Sequence, residues 1–398
     1  ADGEGVRDHG RATGGSGARD GRLRGAEVGL CGRSQGKRGL VRHNEGANSP
    51  CDLDGTDNDD HLEEGGNRLP TCLGESASVC GPHTRTQPRS ATVDERHCPR
   101  SHRHALQCPA RIAQDGGLVV TYRVIDISHW NPDRDEKGGA RDKMWVLQPG
   151  NEHPSEALWK EGRPGEKIAE PGADLWAERV AAEIAPLMGV RAAHVDLAVW
   201  GAARGIVSWR IPGTLRNGNL LLSSKYPGYE QGVKGHVSGY DLPSIHAVLT
   251  PYSGWMPGVS AFDCFVGLLV FDALIGNTDR HHENWAIIDE DGTLAPSYDH
   301  GASLAFNEPH GFASDARIYA ARGRSRHFPG RPTLVELAQT ALSMATPAAA
   351  QRWRTSVSGV DTGDVRRIVE AIPAGWMSQG ARTFVVEFVN ENRRRLLS

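Results

Sequence analysis

Aromatic residues are missing from the first part of this 398-residue chain. No Trp, Tyr or Phe occurs in residues 1–117, and no Ile precedes Ile112. A segment without large apolar side chains buries too little surface to offset the entropy that ordering costs. The composition therefore predicts a disordered segment over 1–117 and a folded domain over 118–398.

Cysteine is almost absent from the second part of the chain, where Cys264 is the only one of the seven. An even set of six cysteines in a short secreted chain would indicate disulfides. Zinc is the other possibility for the first part, but the paired C-x₂-C spacing of zinc sites is missing, which leaves a zinc knuckle as a minor alternative. Its candidate ligands would be His97, Cys98, His102, His104 and Cys108.

Neither a strong charge nor a long apolar run is present. The net charge of −4 provides no field for general nucleic-acid binding. The most apolar stretch, residues 261–275, contains Asp263 and Asp272 and is too short to span a bilayer, so it predicts a buried core helix. No apolar signal-peptide core is evident, and we expect a reducing, cytoplasmic location.

Acidic and amide side chains concentrate in one run, residues 277–284, with a further acid at Asp299. Asp279 and Asn284 have the D-x-x-x-x-N spacing of kinase catalytic loops. Phosphoryl transfer needs one carboxylate that orients the attacking hydroxyl, and an amide and a second carboxylate that hold Mg²⁺. The pattern therefore indicates a phosphoryl-transfer site.

The segment between Asn284 and Asp299 predicts a β-hairpin. Its arms would be residues 285–288 and 293–296, and Asp291-Gly292 lies in the turn between them. Such a hairpin would bring Asp299 back close to Asn284.

The motifs NTDRHHENW and LAPSYDHGASL resemble those of the HipA-like serine/threonine kinases, and the resemblance extends over about residues 120–398. It implies an α+β, bilobal protein-kinase-like fold, with a small β-rich nucleotide-binding lobe over about 118–215 and a larger helical catalytic lobe over about 216–398. It also implies ATP and Mg²⁺ as cofactors. The acceptor would be a serine or threonine of a protein, including this chain itself. Asp279 would be the catalytic acid, and Asn284 and Asp299 would be the metal ligands. Two positions depart from the protein-kinase pattern, because Arg280 follows the Asp and His300 replaces the usual Phe.

A kinase also needs a cation on the phosphates, and Lys160 at the end of an apolar strand is the best candidate. Its partner strand would be 144–147. The connecting residues 148–155, with Gln148 and Gly150, would form a lid over the nucleotide. They contain only one glycine, and an ordinary hairpin connection explains them equally well.

Residues 174–188 predict a helix with Asp174 as its N-cap and Gly189 as its stop. Glu178 lies off the apolar stripe of this helix and is the expected ion-pair partner of Lys160. The alternatives are Glu170 and Glu183.

The remaining pattern predicts a sheet of about five strands, followed by helices that extend through 333–397. A basic run would form either a solvated loop or a binding site for a phosphorylated or acidic substrate. It consists of Arg322, Arg324, Arg326 and His327. The Arg393-Arg394-Arg395 run would cap the last helix. Two other functions remain open: a small-molecule or lipid kinase, and a noncatalytic nucleotide-binding module.

Overall fold

A computed structural model describes residues 111–112, 118–135, 143–150, 155–163, 168–230 and 237–398. These residues all belong to one compact unit, Asp94–Ser398. Apart from residues 111–112, the predicted disordered segment lies outside the described residues, as does the alternative zinc knuckle. Residues 151–154 of the predicted lid also lie outside them.

Strands dominate the first half of the described chain. They are β1 (Arg111–Ile112), β2 (Leu118–Val119), β3 (Val124–Asp126), β4 (Asn131–Asp135), β5 (Lys143–Leu147), β6 (Glu156–Glu161), β7 (Val195–Trp200), β8 (Ala203–Trp209), β9 (Leu215–Asn217), β10 (Ala286–Ile288) and β11 (Thr293–Leu294).

Six of these strands form one sheet in the order β3-β7-β8-β6-β5-β4. The pair β3–β7 is parallel and the other pairs are antiparallel. The prediction of about five strands was close. The strands β5 and β6 form the expected hairpin, and β3 and β4 add an edge on each side.

The two faces of the β5–β6 hairpin have different surroundings. Ala157 and Trp159 of β6 are buried in a small cluster on one face of the sheet, together with Val146 of β5. Because successive side chains of a strand point to opposite faces, Leu158 and Lys160 lie on the other face. That face borders a cavity.

The predicted helix is present as α1 (Ala173–Ile184), followed by a 3₁₀ turn over Ala185–Met188. Gly189 ends it in the left-handed region at φ 72°, as expected. Asp174 is not the N-cap, because Gly172 occupies that position at φ 80°. Asp174 is instead fully buried in the first turn and accepts a hydrogen bond from the backbone N–H of Arg163.

Helices form the second lobe around a central apolar helix, Ala261–Ile275. Every residue of that helix is buried, as the sequence predicted, and Gly276 ends it at φ 69°. The helices in chain order are α2 (Gly218–Lys225), α3 (Leu242–Leu249), α4 (Ala261–Ile275), α5 (Ala316–Ala321), α6 (Leu334–Met344), α7 (Pro347–Gly359), α8 (Thr362–Glu370) and α9 (Gln379–Leu397).

The predicted hairpin before Asp299 is confirmed by the antiparallel pair β10–β11, with Gly292 in its turn at φ 64°. The strand β10 also pairs with β9, which continues the chain from the large sheet. The hairpin therefore lies where the sheet meets the helical lobe.

Two of the terminal arginines lie in the last turn of α9, where positive charge is favourable, as the sequence indicated. Side chains of the same run also reach other helices. Arg393 donates to the carbonyls of Val357 and Ser358 at the end of α7, and Arg395 donates to the carbonyl of Ala320 in α5. They therefore tie α9 to two neighbouring helices. Among the residues that the structure describes, no helix is long and apolar enough to cross a membrane.

Candidate active site

Two lysines face each other across the β5–β6 hairpin. Lys143 is the register partner of Lys160, and both side chains line a cavity of about 460 Å³. Like charges directly opposite each other in a sheet destabilise it unless anions lie nearby. Two carboxylates, those of Glu178 and Asp299, meet this requirement.

Glu178 on α1 forms an ion pair with Lys160. The distance between Lys160 Nζ and Glu178 Oε1 is 2.7 Å, and the two side chains are only 4% and 1% exposed. Breaking a buried pair by removing one partner leaves an uncompensated charge, which makes such a pair hard to dispense with. The expected pairing of Lys160 with Glu178 is therefore present in the structure.

The two alternative glutamates are engaged elsewhere. Glu170 accepts hydrogen bonds from the indole N–H of Trp176 and the backbone N–H of Ser378. Glu183 pairs with Arg179 one helical turn earlier. Neither contributes a contact to Lys160.

Asp299 lies between the two lysines. Its Oδ1 is 3.2 Å from Lys160 Nζ, and its Oδ2 is 3.2 Å from Lys143 Nζ. The residue has φ 60°, a left-handed conformation that Asp tolerates better than most residues. The backbone two residues earlier is anchored, because Ser297 exchanges hydrogen bonds with Arg191 and Ala193.

Asp279 and Asn284 hold the 277–284 loop closed. The Nδ2 of Asn284 donates to the backbone carbonyl of Asp279 at 2.9 Å, which leaves Asn284 Oδ1 as the oxygen able to bind a metal. The backbone N–H of Asp279 in turn donates to the side chain of Asn277 at 3.1 Å. The five-residue spacing therefore corresponds to a contact within the loop.

The carboxylate of Asp279 has a partner that the sequence did not indicate. Its Oδ1 is 2.7 Å from Nε2 of His327, a buried residue. Burial alone would raise the pKa of Asp279, but the hydrogen bond from His327 and the nearby His281 and Arg326 outweigh it, so the pKa is lowered. Asp279 is therefore ionised at neutral pH.

Arg280 is the buried centre of the loop. Its Nε and Nη2 make a bidentate pair with Asp272 of α4, at 2.8 and 2.7 Å. Nη1 donates to the carbonyl of Asn284 and Nη2 to the hydroxyl of Ser297. Arg280 thus joins the core helix, the loop and the segment that leads to Asp299.

His300 takes the position of the usual Phe and is also buried. Its Nε2 is 2.7 Å from Ser297 Oγ, and its ring meets Phe271 edge-on. Burial, aided by the charge of Arg280, holds the pKa of His300 well below its usual value. His300 is therefore a neutral core residue.

Part of the remaining cavity wall is apolar and suits a flat heteroaromatic group. The apolar side chains there include Trp145, Leu158, Trp209 and Ile211, and polar side chains such as Arg134, Ser208 and Thr214 line the rest. Gln148 and Gly150 do not line this cavity. Gln148 donates its backbone N–H to Ser155, and Gly150 is an exposed turn residue at φ 101°.

The donor set fits Mg²⁺ bound together with phosphate. Asn284 and Asp299 line the same cavity, and one amide with one carboxylate leaves coordination positions for phosphate and water. No group of three or more His, Cys, Asp or Glu side chains suited to a metal ion occurs among the described residues.

Sequence reasoning missed Lys143 and His327. Lys143 lies two positions before Trp145 on a strand whose partner register was already implied, so extending the hairpin by one pair would have found it. His327 lies 48 residues from Asp279, inside the basic run that was interpreted either as a solvated loop or as a binding site for a phosphorylated or acidic substrate. No local pattern indicates that contact.

The two lobes, the Lys160–Glu178 pair and the carboxylates around one cavity are the features of a protein-kinase-like fold. The chain belongs to the HipA-like C-terminal domain family, whose profile matches residues 136–372, more than half of the 398 residues. This confirms the family that the motifs predicted.

Two solved structures align with this chain. The proinflammatory kinase CtkA of Helicobacter pylori aligns with a TM-score of 0.52 at 15% identity, over 69% of this chain and 95% of that chain, which supports the fold. A chain of the Shewanella oneidensis MR-1 toxin–antitoxin complex of HipA, HipB and operator DNA aligns with a TM-score of 0.37 at 11% identity, over 70% of this chain and 74% of that chain. No curated protein sequence matches the chain.

Proposed function

We propose that this chain is an ATP-dependent phosphotransferase that transfers the γ-phosphoryl group to a serine or threonine of a protein, its own side chains included. The observation that carries the proposal is the meeting of Lys160, Asn284 and Asp299 at one cavity, with Asp279 in the loop that ends at Asn284. The choice of a protein acceptor rests on the resemblance to HipA-like serine/threonine kinases.

In this proposal the two facing lysines bind the triphosphate. Glu178 holds Lys160 through the buried ion pair, and Asp299 lies within 3.2 Å of both lysines in the present structure. With Asp299 serving as a metal ligand, phosphate oxygens would be the anions that offset the positive charges of Lys143 and Lys160. The apolar wall with Trp145 and Leu158 would contact the adenine ring.

Asn284 Oδ1 and the carboxylate of Asp299 would hold Mg²⁺, which when bound supplies positive charge to the β- and γ-phosphates. Asp279 orients the acceptor hydroxyl. The acceptor oxygen forms a bond to the γ-phosphorus, the bond from that phosphorus to the β–γ bridging oxygen breaks, and ADP leaves. The proton of the hydroxyl passes to Asp279, whose lowered pKa keeps it ionised beforehand.

Arg280 serves a structural purpose in this scheme. Four of its five N–H donors bind protein oxygens, including both oxygens of Asp272. It therefore acts by fixing the loop that carries Asp279 and Asn284.

The test uses the full chain with Mg²⁺ and γ-labelled ATP, beside Asp279→Asn and an exposed control, Asp289→Asn. We expect label on protein, or free phosphate, from the wild type and the control, and only a small residual rate from Asp279→Asn. MgATP should raise the melting temperature of all three proteins, because Asp279 is not needed for binding. If MgATP raises the melting temperature of the wild type but no turnover occurs, the noncatalytic nucleotide-binding module is favoured. Transfer only to an added small molecule or lipid would favour a small-molecule or lipid kinase.

A further inference from the structure

The 325–328 segment is held against the 277–284 loop by contacts that do not involve the His327 ring. The backbone N–H of Arg326 donates to the carbonyl of Thr278 at 3.1 Å. Phe328 is buried with its ring 4.9 Å from that of Tyr240, whose hydroxyl donates to the carbonyl of Arg280. The position of His327 is thus fixed from both sides.

The His327 imidazole meets the carboxylate of Asp279 in a short hydrogen bond. The distance between Nε2 and Oδ1 is 2.7 Å. A carboxylate only accepts hydrogen bonds, so the Nε2–H of the imidazole is assigned as the donor. His327 is therefore not the base, and Oδ1 is occupied by its hydrogen bond.

We propose that His327 is a positioning residue for Asp279, holding Oδ1 so that Oδ2 receives the proton of the acceptor. The proposal rests on the phosphotransferase function proposed above. It makes the seating of the 325–328 segment a condition for catalysis, because displacing that segment removes the donor from Asp279. The proton that leaves the acceptor passes to Asp279.

The experiment measures ATP hydrolysis by the full chain with MgATP alone, so that water is the acceptor and no protein substrate is needed. His327→Leu removes the donor at similar volume, and His327→Gln places an amide N–H near the position of Nε2. The exposed His310 lies in the same region of the chain and provides the matched control, His310→Leu.

We expect His327→Leu to lower kcat about tenfold to a hundredfold, because a misplaced catalytic group costs up to this much. The KM and the calorimetric Kd for MgATP should stay within about twofold of the wild type, since transition-state positioning alone is lost. His327→Gln should recover most of kcat, and His310→Leu should match the wild type.

A second comparison separates positioning from general structural damage. If His327 acts through Asp279, adding His327→Leu to Asp279→Asn causes no further fall in the residual rate, because the two residues act as a unit. Damage to the fold would instead reduce the rate by the same factor in both backgrounds.

Equal turnover by the wild type and His327→Leu would overturn this inference and leave the proposed function in place. Independent, multiplicative losses in the double variant would also overturn it. A wild-type chain that binds MgATP but never hydrolyses or transfers phosphate would remove the proposed function, and the role of His327 with it.

Discussion

The buried pair between Arg280 and Asp272 is expected to contribute strongly to stability. Arg280 is 3% exposed and donates to Asp272, to the carbonyl of Asn284 and to the hydroxyl of Ser297. The variant Arg280→Ala leaves the carboxylate of Asp272, itself 2% exposed, without its counter-ion. Removing one partner of a buried pair typically destabilises a protein by about 3–5 kcal/mol.

The magnitude can be expressed as a melting temperature. For a domain of about 250 residues, 1 kcal/mol corresponds to about 2–4 °C, so a loss of about 4 kcal/mol lowers Tm by about 8–16 °C. Adding Asp272→Asn to Arg280→Ala should recover part of the loss, because it removes the uncompensated charge.

Thermal unfolding of the full chain, followed by circular dichroism, measures this effect. The matched control is Arg317→Ala, which breaks an exposed pair with Asp315 and should leave Tm within about 2 °C of the wild type. A fall of less than about 3 °C for Arg280→Ala, or a further fall on adding Asp272→Asn, would contradict a stabilising role for the buried pair.

Three other perturbations test separate parts of the structure. Lys160→Met should raise the Kd for MgATP at least about tenfold by calorimetry, because it removes a buried phosphate-binding cation, and an unchanged Kd would exclude that role. Because the pKa of His300 is lowered by folding, the unfolded chain binds a proton that the folded chain excludes, and the free energy of unfolding falls as pH drops below about 6.5. In urea titrations at several pH values, His300→Asn should make this decline shallower by about 1.4 kcal/mol per pH unit. An unaltered slope would contradict the assignment of His300 as a neutral buried residue. In α4, Gly267→Ala gains about 1 kcal/mol of helix propensity, but its Cβ would lie 2.3 Å from the ring of Trp353, so we expect Tm to fall. In α7, the Cβ of Gly359→Ala meets no atom within 4 Å, so this control should not lower Tm.

Local patterns predicted those parts of the fold that depend on neighbours in the sequence. The apolar run over Ala261–Ile275 and its glycine stop, and the Asp-Gly turn before Asp299, all appear where expected. The pairing of Lys160 with Glu178 was also accessible, because a strand followed directly by a helix leaves few glutamates within reach.

Long-range contacts account for the rest. The N-cap assigned to Asp174 was wrong because Gly172 adopts the left-handed conformation and Arg163 takes the carboxylate. The role assigned to the Arg393-Arg394-Arg395 run at the end of the last helix was incomplete, because Arg393 and Arg395 also donate to carbonyls of other helices. Such partners are distant in sequence and are brought close only by the packing of the lobes.

Asp279 is assigned to the chemical step and not to nucleotide binding. A ³¹P NMR time course of the full chain with MgATP, compared with the Asp279→Asn protein, tests this directly. We predict that the γ-phosphate signal of ATP declines as ADP appears with the wild type. With Asp279→Asn the signal should decline far more slowly, while the nucleotide resonances still broaden on binding. Equal consumption of ATP by the two proteins would contradict the assignment of Asp279, and no consumption by either would contradict phosphoryl transfer as the function.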